Sequence, residues 1–162
     1  MTDSPKVIVE ELSGDFCDEI ASLPGGENIR KCFSCGTCAA GCPVTAVDEE
    51  YNCRKIIRQI QFGFRDEVLK SPVIWLCAMC YRCSAKCPQE VNFSDIMRAI
   101  RHLAVKEGHA PANLVRKNEE IEKFTARLRC TLIKNAAEGK DEVVKEIIKK
   151  LESLSVGGLE RK

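Results

Sequence analysis

The sequence has no excess of either charge, no long apolar run and no export signal. Its 25 Lys and Arg residues nearly balance 24 Asp and Glu residues in a chain of 162, so no basic field favours nucleic acid as a partner. The best apolar run, from Val73 to Met79, is far shorter than the roughly 18 residues of a membrane span. The N-terminus has neither the basic start nor the apolar core of a secretory signal. We therefore expect a cytoplasmic protein without direct membrane insertion.

Cysteine, by contrast, is abundant, with eleven residues. Reducing compartments keep thiols free, and an odd number of cysteines leaves at least one unpaired. Metal ligation is therefore favoured over a disulfide scaffold.

Eight of these cysteines form two copies of one motif, 45 residues apart, and each copy is followed by a proline. Three thiolates at steps of three wrap three corners of an iron–sulfur cube, and the fourth, just before proline, serves the other cluster in bacterial two-cluster ferredoxins. The motif predicts two 4Fe–4S clusters. The expected ligands are Cys32, Cys35, Cys38 and Cys87 for cluster 1, and Cys77, Cys80, Cys83 and Cys42 for cluster 2.

Because the crossed clusters would tie both motifs together, cluster loss is expected to unfold the domain. Pro43 and Pro88 stop the turn that carries the fourth cysteine, and Gly36 and Gly41 let backbone amides approach the cluster sulfurs. The alternative metal is zinc, which uses four ligands in two pairs and needs neither the third cysteine nor the Cys-Pro of each motif.

The three remaining cysteines and both histidines are expected to be non-ligands. A free cysteine is often a small buried hydrophobe, and the histidines lie in a polar helical stretch far from both motifs. The set consists of Cys17, Cys53, Cys130, His102 and His109.

Apolar spacing predicts a helix after each motif, which makes the fold all-α. Asn52 is expected to cap a helix that ends at Gly63, and Ser94 is expected to cap another that ends at Gly108. Two more helices are predicted downstream, one from Pro111 to Gly139 and one starting at Asp141, each with an apolar face. Those faces pack on this domain or dock on a partner. At the other end, the β-branched run 7–9 is typical of a strand that would need a partner.

The predicted organisation is an N-terminal extension (1–26), a two-cluster domain (27–110) and a C-terminal helical segment (111–162). Four basic residues flank expected ligands and either offset the cluster charge or form an ordinary solvated face. They are Arg30, Lys31, Arg82 and Lys86.

The assembled motifs resemble the iron–sulfur C subunit of heterodisulfide reductase, from an α-helical two-cluster ferredoxin family. In that family a C-x2-C-G-x-C-x3-C-P motif is followed by an R-K-I-I-R helix, a W-x-C-x2-C-x2-C-x3-C-P motif and a D-I-x-R-A-I-R-like helix. The matching segments here are Cys32–Pro43, Arg54–Arg58, Trp75–Pro88 and Asp95–Arg101. The family often has a proline where this chain has Cys53.

The resemblance implies a non-catalytic electron-transfer protein within a hetero-oligomer, with no catalytic residue of its own. It would relay single electrons between a flavoprotein similar to the family's A subunit, which splits electron pairs, and a Cys-Cys-Gly-rich protein similar to its B subunit. In methanogens the latter reduces the mixed disulfide of coenzymes M and B. This chain lacks the Cys-Cys-Gly motifs of disulfide reduction.

Two alternatives remain at the level of sequence. One is an iron–sulfur relay subunit of another flavin-dependent dehydrogenase, of the glycerol phosphate or lactate type. The other is a free ferredoxin, for which an acidic surface is expected but a near-neutral charge is found.

Overall fold

The structure, a computed structural model, describes residues 12–154, and all of their regular secondary structure is helical. The predicted all-α fold is confirmed. The strand predicted at 7–9 lies outside the described residues. Within the described residues, no helix is both long and apolar enough to cross a membrane.

Eight α-helices and two 3-10 helices follow one another along the described chain. The α-helices are α1 (Phe16–Ser22), α2 (Thr37–Ala40), α3 (Cys53–Gln61), α4 (Arg65–Leu69), α5 (Arg82–Lys86), α6 (Phe93–Lys106), α7 (Leu114–Ala137) and α8 (Asp141–Leu154). The 3-10 helices, Ile29–Lys31 and Pro72–Leu76, each lead directly into one cysteine motif.

Helix α3 follows the first motif and begins as predicted. The Asn52 side chain accepts a hydrogen bond from the Lys55 amide at 3.1 Å, which satisfies one of the free N–H groups of the first turn. Ile56, Ile57 and Ile60 form its buried face. The helix ends two residues before Gly63, whose φ of 81° is the left-handed conformation that terminates helices.

Helix α6 follows the second motif, but its predicted cap was wrong. The helix starts at Phe93 behind Asn92, which has a φ of 53° and makes no side-chain capping bond. Ser94 lies inside the first turn and is fully buried. Its hydroxyl faces the Cys83 sulfur at 3.3 Å. A partner eleven residues away in sequence therefore takes the hydroxyl that the local pattern assigns to capping.

The chain divides into two compact units, one ending at Asn118 and the other starting at Glu119. The first unit contains a core of buried residues from α1, α3, α4, α6 and the 3-10 helices, including Phe16 and Ile20. This core is continuous with Cys77 and Cys83, so the motifs are part of it. The predicted domain limits at 26/27 and 110/111 stay predictions.

The second unit contains α8 and α7 from Glu119 onward. Both helices occupy the ranges expected from the apolar spacing, and Gly139, with a φ of 73°, lies between them. Their apolar faces carry exposed side chains, among them Ile121, Phe124 and Ile148. Whether these faces serve intramolecular packing or partner docking stays a prediction.

Candidate metal centre

The expected ligands of cluster 1 line one cavity of about 370 Å³. Cys32, Cys35 and Cys38 come from the loop around α2, and Cys87 comes from the end of the second motif. The rest of the wall is largely apolar and includes Ile57, Val91 and Phe93. Cys83 also reaches this wall.

The expected ligands of cluster 2 line a second cavity of about 270 Å³. Cys77, Cys80 and Cys83 come from the loop around α5, and Cys42 comes from the end of the first motif. Each cavity thus brings together three cysteines of one motif and the fourth cysteine of the other. Cys53, expected to be a non-ligand, also lies on the wall of the second cavity.

The chemistry of both walls fits an iron–sulfur cluster. Neither lining contains a His, Asp or Glu side chain, so cysteine sulfur is the strong metal donor of both cavities. Among residues 12–154, no three His, Cys, Asp or Glu groups converge closely enough to hold a single ion. A cube spreads its four thiolates around four irons and therefore needs more widely spaced sulfurs than one ion does.

The two cysteine loops adopt the same unusual backbone conformation. Ser34 and Met79 have φ values of 60° and 45°, and Gly36 and Tyr81 have values of 86° and 58°. These pairs are 45 residues apart, so each loop turns left-handed at the same two positions. Non-glycine residues in this region cost on the order of 1–3 kcal/mol each and cluster at functional sites. Such turns aim successive amides into a concavity that suits an anion.

Amide donors do reach two of the sulfurs. The Ser34 N–H donates to Cys32 Sγ and the Val91 N–H donates to Cys87 Sγ, each at 3.4 Å. Two buried hydroxyls beside the motifs, Thr45 Oγ1 and Ser84 Oγ, have no hydrogen-bond partner within the described structure. Buried donors are normally paired. Cluster sulfurs are acceptors to which these two hydroxyls can donate.

The cysteines differ in their exposure and in the pKa of their thiols. Burial raises the pKa of Cys32 and Cys77, and a hydrogen bond from Tyr51 opposes the rise at Cys77. At Cys35, which is exposed, a hydrogen bond with the Thr37 hydroxyl lowers the pKa. Cys80, the equivalent residue of the second motif, is exposed as well. Each cavity therefore has one exposed cysteine. The other expected ligands are half-buried against the core, except Cys77 and Cys83, which belong to it.

Cys53 is buried beside Cys38, and its thiol is hydrogen-bonded to the Cys38 sulfur. That bond lowers the pKa of Cys38 to about 6 and raises the pKa of Cys53 well above its usual range. Cys17 is half-buried and Cys130 is exposed on α7. Neither lines the two cavities, and the non-ligand roles of all three cysteines stay predictions.

The histidines and basic residues lie mostly where the sequence suggests. His102 is exposed on α6, and His109 follows its end, 3.3 Å from Glu107. Arg30 is paired with Asp18, so its charge is already compensated outside the cavities. Arg82 lines the second cavity and Arg54 lines the first. The sequence pattern did not single out Arg54.

Two further residues, which sequence reasoning missed, hold the starts of the two motifs. Gln61 at the end of α3 donates to the carbonyls of Ile29 and Cys32, at 3.5 and 3.2 Å. Arg101 in α6, only 6% exposed, donates to the carbonyls of Ile74 and Cys77, at 2.9 and 2.7 Å.

Arg101 also donates to the Trp75 carbonyl at 3.1 Å and lies over the Trp75 ring. The signal that could have found it is its position four residues after Met97 and three before Ala104. Both neighbours belong to the buried face of the helix, so a charge between them must have buried partners.

Residues 28–91 match the family described as 4Fe-4S dicluster domain. The chain contains a 4Fe-4S dicluster domain. This domain includes both motifs and both cavities' expected ligands, and it indicates that the chain binds iron–sulfur clusters.

Curated relatives match more than half of the chain. The C subunit of the H2:CoB–CoM heterodisulfide,ferredoxin reductase of Methanothermobacter thermautotrophicus is 37% identical over 103 residues, which are 63% of this chain and 55% of that protein. The iron–sulfur C subunit of the CoB–CoM heterodisulfide reductase of Methanopyrus kandleri is 38% identical over 107 residues, 62% of this chain and 55% of that protein.

A third relative, from Archaeoglobus profundus, is named as a protein like the C subunit of heterodisulfide reductase. It is 38% identical over 89 residues, 55% of this chain and 47% of that protein. The resemblance of the dicluster domain to this iron–sulfur subunit of heterodisulfide reductase is thereby confirmed. The chain spans about half the length of the curated relatives it matches.

Proposed function

We propose that the dicluster domain holds two 4Fe–4S clusters, each bound by three cysteines of one motif and the fourth of the other. The observation that carries this proposal is that seven of the eight motif cysteines each line one cavity, in the crossed arrangement, while Cys83 lines both. Cluster 1 is assigned Cys32, Cys35, Cys38 and Cys87, and cluster 2 is assigned Cys77, Cys80, Cys83 and Cys42. The shared left-handed turns of both loops support the assignment, because they present backbone amides to an anionic group.

When bound, such clusters take up and release single electrons without making or breaking bonds. The chain's own residues orient the thiolates, exclude water through Ile57, Val91 and Phe93, and donate hydrogen bonds to the ligand sulfurs. Neither cavity wall offers a carboxylate or imidazole for acid–base chemistry. The chain therefore acts as a conductor of electrons between other proteins, and no residue of it is assigned a catalytic role.

The partners follow from the relatives. Because their names describe subunits of heterodisulfide reductases, we infer a hetero-oligomer in which this chain accepts electrons from an A-like flavoprotein. It passes them to a Cys-Cys-Gly-rich, B-like protein that reduces a disulfide of the CoB–CoM type. Each motif has one exposed cysteine, Cys35 or Cys80, with an exposed apolar side chain nearby, Phe33 or Leu76. These edges offer routes by which electrons enter and leave the chain.

The partner assignment is tested by an anaerobic pull-down of the tagged chain from its native host. We expect co-purification of a flavoprotein and a Cys-Cys-Gly-rich protein, identified by mass, because a relay held within a complex must contact both. A matched pull-down with the tag alone measures non-specific capture. A cluster-loaded chain that brings down neither protein would favour the free ferredoxin, and a partner set containing a glycerol phosphate or lactate dehydrogenase would favour the other alternative.

A further inference from the structure

The loop-and-helix unit occurs twice in the first compact unit, so the two candidate cluster sites can be compared position by position. The loops are related by a shift of 45 residues and the helices that follow them by a shift of 40. The second shift pairs Asn52 with Asn92, the residues that precede α3 and α6. It also pairs Gln61 with Arg101. Differences between paired positions therefore show how the two sites differ electrostatically.

The first difference is a charge. Gln61 holds the carbonyls of Ile29 and Cys32, and Arg101 holds those of Ile74 and Cys77, which are the same two carbonyls under the shift of 45. A neutral amide therefore supports the first loop where a guanidinium supports the second. Since Arg101 is only 6% exposed, water screens its charge far less than that of a surface residue.

The second difference is a pair of hydroxyls. The shift of 40 pairs Tyr51, which lines the second cavity, with Val91, which lines the first and has no polar side-chain atom. Tyr51 is 1% exposed and lines the second cavity together with Cys77, where its hydroxyl opposes the rise that burial causes in the pKa of the Cys77 thiol.

Ser94 supplies the second hydroxyl. It lies 3.3 Å from the sulfur of Cys83, whereas the equivalent sulfur, that of Cys38, has the buried thiol of Cys53 as its neighbour, and a thiol is a weaker donor than a hydroxyl. Both hydroxyls are buried, so they act on the neighbouring sulfurs in a low-dielectric surrounding, where hydrogen bonds are strong.

The first site has compensating groups of its own. The Ser34 and Val91 amides donate to Cys32 Sγ and Cys87 Sγ at 3.4 Å, but these neutral donors are only part-buried, and the side-chain groups of this site are exposed. Arg54 lines the first cavity as Arg82 lines the second, and both are exposed, so their screened charges favour neither site. The Thr37 hydroxyl lies 3.3 Å from Cys35 Sγ, at an exposed position where water competes for the same bond. The buried groups therefore decide the difference between the sites.

We propose that Tyr51, Ser94 and Arg101 give the second site the higher reduction potential, so that an electron on this chain resides mainly at the cluster held by Cys77, Cys80 and Cys83. Reduction makes a cluster one unit more negative, and positive charge and sulfur-directed hydrogen bonds stabilise that state. One electron lost at the first site is gained at the second, with no bond or proton exchanged. The proposal rests on the proposed function only in requiring two bound clusters.

The test is an anaerobic redox titration of the cluster-loaded full chain, followed by electron paramagnetic resonance, with iron and sulfide quantified in every sample. The two clusters are expected to differ at least tenfold in their one-electron reduction equilibrium, which corresponds to about 59 mV. Tyr51→Phe keeps the buried ring and removes only the hydroxyl, and Ser94→Ala removes the other hydroxyl. Each variant is expected to lower the higher potential and so narrow the gap.

The matched control is Thr37→Val, which removes the hydroxyl beside Cys35 and is expected to leave the higher potential unchanged. A wild-type difference between the two reduction equilibria below tenfold overturns the proposal. The proposal is also overturned if Tyr51→Phe and Ser94→Ala leave that difference unchanged or widen it while the iron content stays near that of two clusters. If one variant fails to retain iron, the proposal is still tested by the other variant and by the difference between the two reduction potentials of the wild type. Absence of iron and sulfide from the wild type would instead contradict the proposed function itself.

Discussion

Replacing Cys42 with alanine is expected to remove the cluster of the other motif and to leave the cluster of its own motif in place. Cys42 belongs in sequence to the first motif, yet it lines the cavity of Cys77, Cys80 and Cys83. A cube that loses one of its four thiolates is no longer fully ligated by the protein. We therefore expect the iron content to fall by about half, from about eight to about four per chain. Iron analysis of the anaerobically purified variant measures this loss.

Two reference variants show which cluster is lost. Cys35 lines only the first cavity and Cys80 only the second, so Cys35→Ala and Cys80→Ala define the spectra of chains that lack one known cluster. The electron paramagnetic resonance spectrum of reduced Cys42→Ala is expected to match that of Cys80→Ala. A match to Cys35→Ala would show that each motif binds its own cluster and would reject the crossed assignment.

Replacing Arg101 with methionine is expected to produce the largest loss of stability among substitutions outside the cysteines. Methionine retains much of the apolar stem but none of the donors that bind the carbonyls of Ile74, Trp75 and Cys77. Hydrogen bonds that involve a charged group contribute about 1.5–3 kcal/mol each. We therefore expect the free energy of unfolding to fall by at least about 3 kcal/mol, a large part of the ~5–15 kcal/mol of a typical domain.

The measurement is guanidinium denaturation of the cluster-loaded chain under anaerobic conditions, followed by helical circular dichroism and by cluster absorbance. Arg98→Met is the matched control on the same helix. Arg98 is about half exposed and pairs with Asp95, so its loss should cost no more than about 1 kcal/mol. Gln61→Met removes only neutral hydrogen bonds, so its loss of unfolding free energy should lie between those of Arg98→Met and Arg101→Met. Equal effects of Arg98→Met and Arg101→Met would contradict the supporting role of Arg101.

The cysteine motifs and the helices could be predicted because their signals are local. Each motif is a fixed spacing, and α3, α7 and α8 have apolar residues at helical intervals between recognisable start and stop residues. The sequence also suggested which cysteines would come together, since the crossed arrangement is a property of this motif. The short helices α1 and α4 were not predicted, because segments of seven and five residues are too short to show a period.

The residues that distinguish the two sites could not be predicted, because their roles depend on contacts across the fold. Ser94 looked like a helix cap, yet its hydroxyl is used by Cys83. Arg101 is of a residue type that is almost always at the surface, yet its partners are carbonyls 24 to 27 residues earlier in the chain. Tyr51 reaches a cysteine of the other motif. Local patterns contain no information about such partners until the two motifs are placed side by side.

The central claim, that this chain holds two 4Fe–4S clusters, is tested most directly by counting iron and sulfide in the anaerobically purified wild-type chain. About eight irons and about eight sulfides per chain, with the Mössbauer spectrum of cubane clusters, are the predicted result. About four irons and four sulfides would contradict the second site. Zinc without sulfide would contradict both.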